Sequence, residues 1–114
     1  MILKKCNKCG ALIKVLQDCE CKDCGIKCCE ENMSLVKSNS TDAAFEKHIP
    51  TFEIIGDKMK VIVNHVMDED HYIEWISLES NDTEIMVKLA PGQSAEVTFP
   101  YMKDATLYAY CNKH

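Results

Sequence analysis

Seven cysteines fall within the first 29 residues of this 114-residue chain, at positions 6, 9, 19, 21, 24, 28 and 29, and no other feature restricts its folding as strongly. The same region offers only short apolar patches, at 11–16 and 33–36. A unit of about 40 residues with so little to bury is not held by the hydrophobic effect alone, so a metal has to supply the missing stabilisation. Cysteines clustered at short spacing in a reducing compartment point to metal ligands before disulfides. Met1-Ile2-Leu3 runs into Lys4-Lys5 before an apolar signal core can form, and no stretch approaches the roughly 20 apolar residues of a membrane span. A cytoplasmic protein with no membrane partner is expected, in preference to a secreted disulfide scaffold.

The rest of the chain has different chemistry. Before Ser40 stand 7 lysines and 5 acids (+2), and after it 6 lysines and 13 acids (−7). All 13 basic residues are lysine, so there is no guanidinium fork for phosphates or base edges, and the net charge of −5 repels a polyanion. Nucleic acid is therefore not an expected partner. The polar run Ser38-Asn39-Ser40-Thr41-Asp42 interrupts the hydrophobic pattern and predicts two domains, 1–37 and 41–114. With 46% hydrophobic residues overall there is enough to build a modest core. Strand-like runs occur at 52–55, 59–66, 72–78, 84–89, 95–99 and 106–110. Turn residues separate them at Gly56-Asp57, Ser80-Asn81-Asp82 and Ala90-Pro91-Gly92-Gln93. Short strands with frequent turns and little helix predict a mainly β protein whose larger domain is an immunoglobulin-like antiparallel β-sandwich. Met59, Val61 and Val63 alternate cleanly with Lys58, Lys60 and Ile62, whereas around Trp75 both strand faces read as partly buried.

Cys6-Asn7-Lys8-Cys9-Gly10 is a knuckle in which two thiolates can chelate one ion while Gly10 frees the backbone for N–H···S bonds. A tetrahedral thiolate site for iron or zinc needs two more sulfurs. Cys21 and Cys24 would complete a double knuckle, and the adjacent pair Cys28-Cys29 would complete a rarer geometry. A zinc that only holds the fold and a CxxC redox motif are rival readings, the second weakened because no βαβ pattern surrounds it.

All four histidines, His48, His65, His71 and His114, lie in the acidic part with the last cysteine, Cys111. Any one of them alone reads as an ordinary polar residue. Together they suggest more, because Cys111-Asn112-Lys113-His114 sets a thiolate close to an imidazole, while His65 and His71 flank the acidic turn Val66-Met67-Asp68-Glu69-Asp70. Thiolate with imidazole suits a redox iron or a zinc, and does not suit calcium or magnesium.

Three segments now identify a resemblance: Glu46-Lys47-His48-Ile49-Pro50, Asn64-His65 through Asp70-His71-Tyr72-Ile73-Glu74-Trp75-Ile76, and Tyr110-Cys111-Asn112-Lys113-His114. They resemble the superoxide reductases. With Cys6, Cys9, Cys28 and Cys29 ahead of them, nearly the whole chain resembles the two-iron form, desulfoferrodoxin. The resemblance implies a desulforedoxin-like amino-terminal domain followed by a sandwich that carries the active site. It implies one iron held by His48, His65, His71 and His114 with Cys111 axial and one position open. It further implies Lys47 above that position, Glu46 as a ligand of the ferric ion after turnover, and a second, rubredoxin-like iron (or a zinc) on Cys6, Cys9, Cys28 and Cys29. Rubredoxin as electron donor and a homodimer come with the family. So does the activity, one-electron reduction of superoxide to hydrogen peroxide as detoxification in an anaerobe-type cytoplasm. The alternative is a non-catalytic electron-transfer or structural zinc-binding protein. Two departures stand out: Cys19, Cys21 and Cys24 have no counterpart in the family's usual pattern, and the glycine and aromatic residue that normally follow the last histidine are absent after His114.

The chemistry agrees with those residue types. Superoxide is a small anion, and a ferrous ion with neutral imidazoles and one thiolate keeps a positive local charge to which Lys47 adds. The distant acids are screened beyond about 8–10 Å. A thiolate opposite the open position pushes electron density onto iron. Backbone N–H groups near Asn112 and Lys113 are expected to tune the Cys111 sulfur.

Overall fold

The computed structural model describes residues 1–22, 24–36 and 49–113 of the chain. The chain divides into two compact units, Met1–Ser38 and Asn39–His114. Among the described residues every regular element is a strand, and no helix is long and apolar enough to cross a membrane.

The first unit contains β1 (Ile2–Lys5), β2 (Leu12–Val15), β3 (Lys27–Cys28), β4 (Glu31–Asn32) and β5 (Ser34–Val36). β1 lies between β2 and β5 in an antiparallel three-stranded sheet, and β3 pairs with β4 as a short hairpin. The β1–β2 connection is the Cys6–Cys9 knuckle. Its backbone closes through Cys6 N–H to Ala11 O at 2.8 Å and Gly10 N–H to Cys6 O at 2.9 Å. Gly10 has φ +79°, a left-handed conformation that glycine adopts without a Cβ penalty. The β3–β4 loop is Cys29-Glu30, with φ of 52° and 66°. Positive φ at both central residues is what a type I′ turn demands, and with side chains present it costs about 1–2 kcal/mol per residue. Little apolar burial is available to offset that strain. Among the unit's described residues only Cys6, Val15 and Met33 are buried, and Leu16 is 89% exposed.

The second unit contains β6 (Thr51–Ile55), β7 (Lys58–Ile62), β8 (Ile73–Glu79), β9 (Glu84–Lys88), β10 (Glu96–Pro100) and β11 (Thr106–Cys111). They form two antiparallel sheets, β10-β7-β6 and β11-β8-β9. After the β6–β7 hairpin, which Gly56 turns at φ +63°, the chain changes sheet between β7 and β8, β9 and β10, and β10 and β11. Met59, Val61, Val97 and Phe99 from one sheet share a single buried cluster with Ile73, Ile76, Leu78 and Cys111 from the other. Two sheets that face each other across one core, with these crossovers, form the expected immunoglobulin-like sandwich.

β8 is buried on both faces. Ile76 and Leu78 join the core, while Trp75 and Ser77, pointing oppositely, are also buried. Trp75 stacks on its cross-strand neighbour Tyr110 with ring centroids 5.4 Å apart and planes 7° from parallel. That pair covers the second face and accounts for the blurred alternation of the sequence there.

One strand expectation needs correction. The run 59–66 is strand only as far as Ile62; Val63 N–H then bonds Ala95 O at 2.9 Å and the chain leaves the ladder before His65. β6 forms where the strand-like run 52–55 was read, and all five of its residues are exposed. Its register sets Phe52 opposite Val61 and Ile54 opposite Met59, on the core-facing side, but β6 is the edge strand of its sheet.

Candidate metal centres

His65 follows the end of β7, His71 precedes β8, and Cys111 closes β11, so three separated segments contribute to one end of the sandwich. The ligand atoms of these three residues all lie within 4.8 Å of one another. The His65 and His71 rings meet edge to face, centroids 4.7 Å apart and planes 88° from parallel. His65 Nδ1 lies 2.6 Å from Val66 O. A carbonyl only accepts, so Nδ1 carries the proton and Nε2 keeps the lone pair that a metal would use. His48, His114, Glu46 and Lys47 lie outside the described residues.

Backbone pairing fixes the loop that carries His71. Asp68 N–H reaches His71 O at 2.9 Å, His71 N–H returns to Asp68 O at 3.2 Å, and Gly92 N–H holds Met67 O at 2.8 Å. Ile73 N–H also points at Met67 Sδ, 3.4 Å away. A bulge at the Tyr110/Cys111 step pairs Cys111 with Ile73 where regular alternation would give Glu74. The thiol of Cys111 is therefore buried, at 3% exposure, among core side chains.

Asn112 ties these parts together, a role its sequence context did not reveal. Its Oδ1 accepts from Tyr72 N–H at 2.9 Å and its Nδ2 donates to Asp70 O at 3.0 Å, so one side chain grips both neighbours of His71. The expected tuning of the sulfur by two amides is half realised: Lys113 N–H donates to Cys111 Sγ at 3.4 Å, whereas Asn112 N–H turns to Tyr72 O at 3.2 Å. An asparagine directly after the cysteine was the only available signal, and neither spacing nor hydropathy indicates where an amide side chain will reach.

In the first unit, the sulfurs of Cys6, Cys9, Cys28 and Cys29 lie within 4.8 Å of one another. Cys9 and Cys28 sulfurs are 3.6 Å apart, and those of Cys28 and Cys29 are 3.9 Å apart. Cys9 N–H points at Cys6 Sγ at 3.5 Å, the N–H···S contact anticipated for the knuckle. Backbone N–H groups of Cys9 and Lys8 hold the Cys6 thiol down at about 6. Contacts with the sulfurs of Cys9, Cys6 and Cys29 push the Cys28 thiol up to about 12. The Cys29 thiol also shifts up, chiefly through Cys9. Crowded sulfurs cannot all be anions without a cation among them, so this is a donor set that a thiophilic metal completes.

Cys21 and Cys24 are not in that group. With Cys19 they form a separate cluster of three sulfurs within 4.8 Å, and Cys21 and Cys24 are joined as a disulfide.

Comparison with known proteins matches this architecture. Residues 40–114 fit the family model described as desulfoferrodoxin. A desulfoferrodoxin of Desulfarculus baarsii is 42% identical over 96% of this chain and 88% of that relative. The desulfoferrodoxin of Nitratidesulfovibrio vulgaris is 36% identical with the same coverages. Among solved structures, the superoxide reductase from Treponema pallidum superposes with a TM-score of 0.69 at 30% identity, covering 98% of this chain and 93% of that one.

Proposed function

Because this chain belongs to the desulfoferrodoxin family, we propose that it is a superoxide reductase, an enzyme that reduces superoxide to hydrogen peroxide at a mononuclear iron in its sandwich unit. The observation that carries this reading is the convergence of His65, His71 and the buried Cys111 thiol, with ligand atoms inside 4.8 Å. Two imidazoles and a thiolate form a donor set for a redox-active transition metal, and His48 and His114 would complete it by resemblance to the family. When bound, iron supplies the single electron.

The chain's own residues do the rest. Cys111 brings a thiolate whose charge favours electron donation, and Lys113 N–H moderates that charge from 3.4 Å. The Nδ1–H···O bond of His65 holds its ring with Nε2 available to the metal. Asn112 holds the His71 loop against the end of β11. Lys47 would attract the anion and orient a water that gives a proton to the departing peroxide, and Glu46 would be a further ligand to the iron. The four-sulfur cluster would hold a second iron, or a zinc, and rubredoxin would be the donor to a homodimeric enzyme. These last assignments rest on the family resemblance.

Exchange of His65→Ala or Cys111→Ser tests the proposal. Pulse radiolysis should show that superoxide no longer oxidises the ferrous protein, while the absorption of the four-sulfur site is unchanged. Full activity in Cys111→Ser would remove the Cys111 thiolate from the reaction.

A further inference from the structure

Three cysteines take no part in either centre. Cys19, Cys21 and Cys24 lie in the connection between β2 and β3, where the described residues of 16–26 form neither strand nor helix. All three are exposed, yet their sulfurs gather within 4.8 Å. Hydrophobic burial does not draw them together, since Leu16 at the start of the connection is 89% exposed. What orders the segment is polar. Lys4 Nζ pairs with Asp18 Oδ1 at 3.0 Å, and the same oxygen accepts from Cys19 N–H at 2.8 Å. This anchors Cys19 to β1, and the short spacing Cys19-x-Cys21-x-x-Cys24 brings the other two sulfurs back to it. Cys24 Sγ further contacts Cys21 O at 3.5 Å.

We propose that Cys19, Cys21 and Cys24 form a third thiolate site, which holds a zinc ion when reduced and releases it when peroxide couples Cys21 to Cys24. Three thiolates and one water satisfy the tetrahedral preference of zinc. Asp18 Oδ1, 3.6 Å from Cys19 Sγ, is engaged by Lys4 and the Cys19 amide, and a water is assigned to the fourth position. A disulfide at Cys21 and Cys24 removes two of the three ligands, and Cys19 alone cannot retain the ion. The metal-bound and disulfide forms are therefore alternative states of the same sulfurs.

The Cys21 thiolate attacks one oxygen of hydrogen peroxide and breaks the O–O bond, and the departing hydroxide takes a proton from solvent to become water. The Cys24 thiolate then displaces the remaining oxygen from the Cys21 sulfenic acid as hydroxide, which takes a second proton. Two electrons pass from the sulfurs to peroxide, giving one disulfide and two waters. The oxidant is the product of the proposed superoxide reaction, and the inference rests on that reading for this point alone.

The test uses the full-length iron-loaded protein, reduced with a phosphine, incubated with Zn²⁺ and gel-filtered before metal analysis. The wild type should retain one more zinc per chain than either Cys19→Ser or the double variant Cys21→Ser/Cys24→Ser, with the four-sulfur iron absorption equal in all three. Added hydrogen peroxide should then expel that zinc and yield a Cys21–Cys24 disulfide by peptide mass mapping. Cys19→Ser should form the same disulfide without ever having held the zinc. Equal zinc in wild type and both variants, or zinc retained after peroxide has formed the disulfide, would overturn the proposal. Because peroxide is added directly, either result leaves the superoxide reaction to be judged separately by the Cys111→Ser experiment.

Discussion

A single side chain, Asn112, fixes the spacing between the segment that carries His71 and the strand that carries Cys111. Its two hydrogen bonds, to Tyr72 N–H and Asp70 O, span 40 and 42 positions of sequence. Neutral hydrogen bonds of this kind contribute about 1 ± 0.5 kcal/mol each, so Asn112→Ala should cost roughly 1–3 kcal/mol in unfolding experiments. The more telling expectation is spectroscopic. Release of the His71 segment should shift the thiolate-to-iron charge-transfer band and slow the superoxide reaction. Asn112→Asp, which keeps the acceptor for Tyr72 N–H, should restore more of the band position than Asn112→Ala. An unshifted band in Asn112→Ala would reduce the residue to a structural role.

At the scale of elements, the two sheets of the sandwich differ in how much each strand contributes. β10 delivers Phe99 into the core at 1% exposure, whereas β6 presents Phe52 at 57%. The same substitution should therefore have unequal consequences. Phe99→Ala removes a buried ring and leaves a cavity, a loss of about 3–5 kcal/mol. Phe52→Ala gives up only partial burial and should cost about 1 kcal/mol. Urea unfolding of the metal-loaded protein checks this, and equal losses would mean that β6 is covered in solution. The first unit follows a different rule. With Cys6, Val15 and Met33 as the buried ones among its described residues and a strained Cys29-Glu30 turn, its short strands depend on the sulfur cluster that the β1–β2 and β3–β4 turns assemble.

For the molecule as a whole, charge sets the terms on which an anionic substrate arrives. The segment after Ser40 carries −7 within a chain of −5. A bare surface of that sign repels superoxide, so on the proposed reading the attraction comes from short range, from the metal and from Lys47. Lys47→Ala should slow the bimolecular reaction by about 2- to 10-fold and flatten its dependence on ionic strength. Pulse radiolysis over a salt series measures both, and an unchanged salt dependence would assign the steering to other charges.

Residue types and their spacing alone indicated the chemistry: a thiolate-rich amino-terminal region, an acidic β-rich remainder, and imidazoles and a cysteine of the kind a redox metal needs. They also indicated the sandwich, because strand period and turn chemistry are local properties of the chain. Tertiary structure decided which sulfurs share a centre. Cys6 and Cys9 match both candidate pairs equally well in sequence, and only the fold of the β3–β4 hairpin brings Cys28 and Cys29 to them while Cys21 and Cys24 pair with each other. It likewise decided the exposure of β6, the bulge that positions Cys111 and the reach of Asn112. Each of these depends on contacts between segments far apart in the chain, where the neighbour that satisfies a hydrogen bond or covers a ring is not written in the residues beside it.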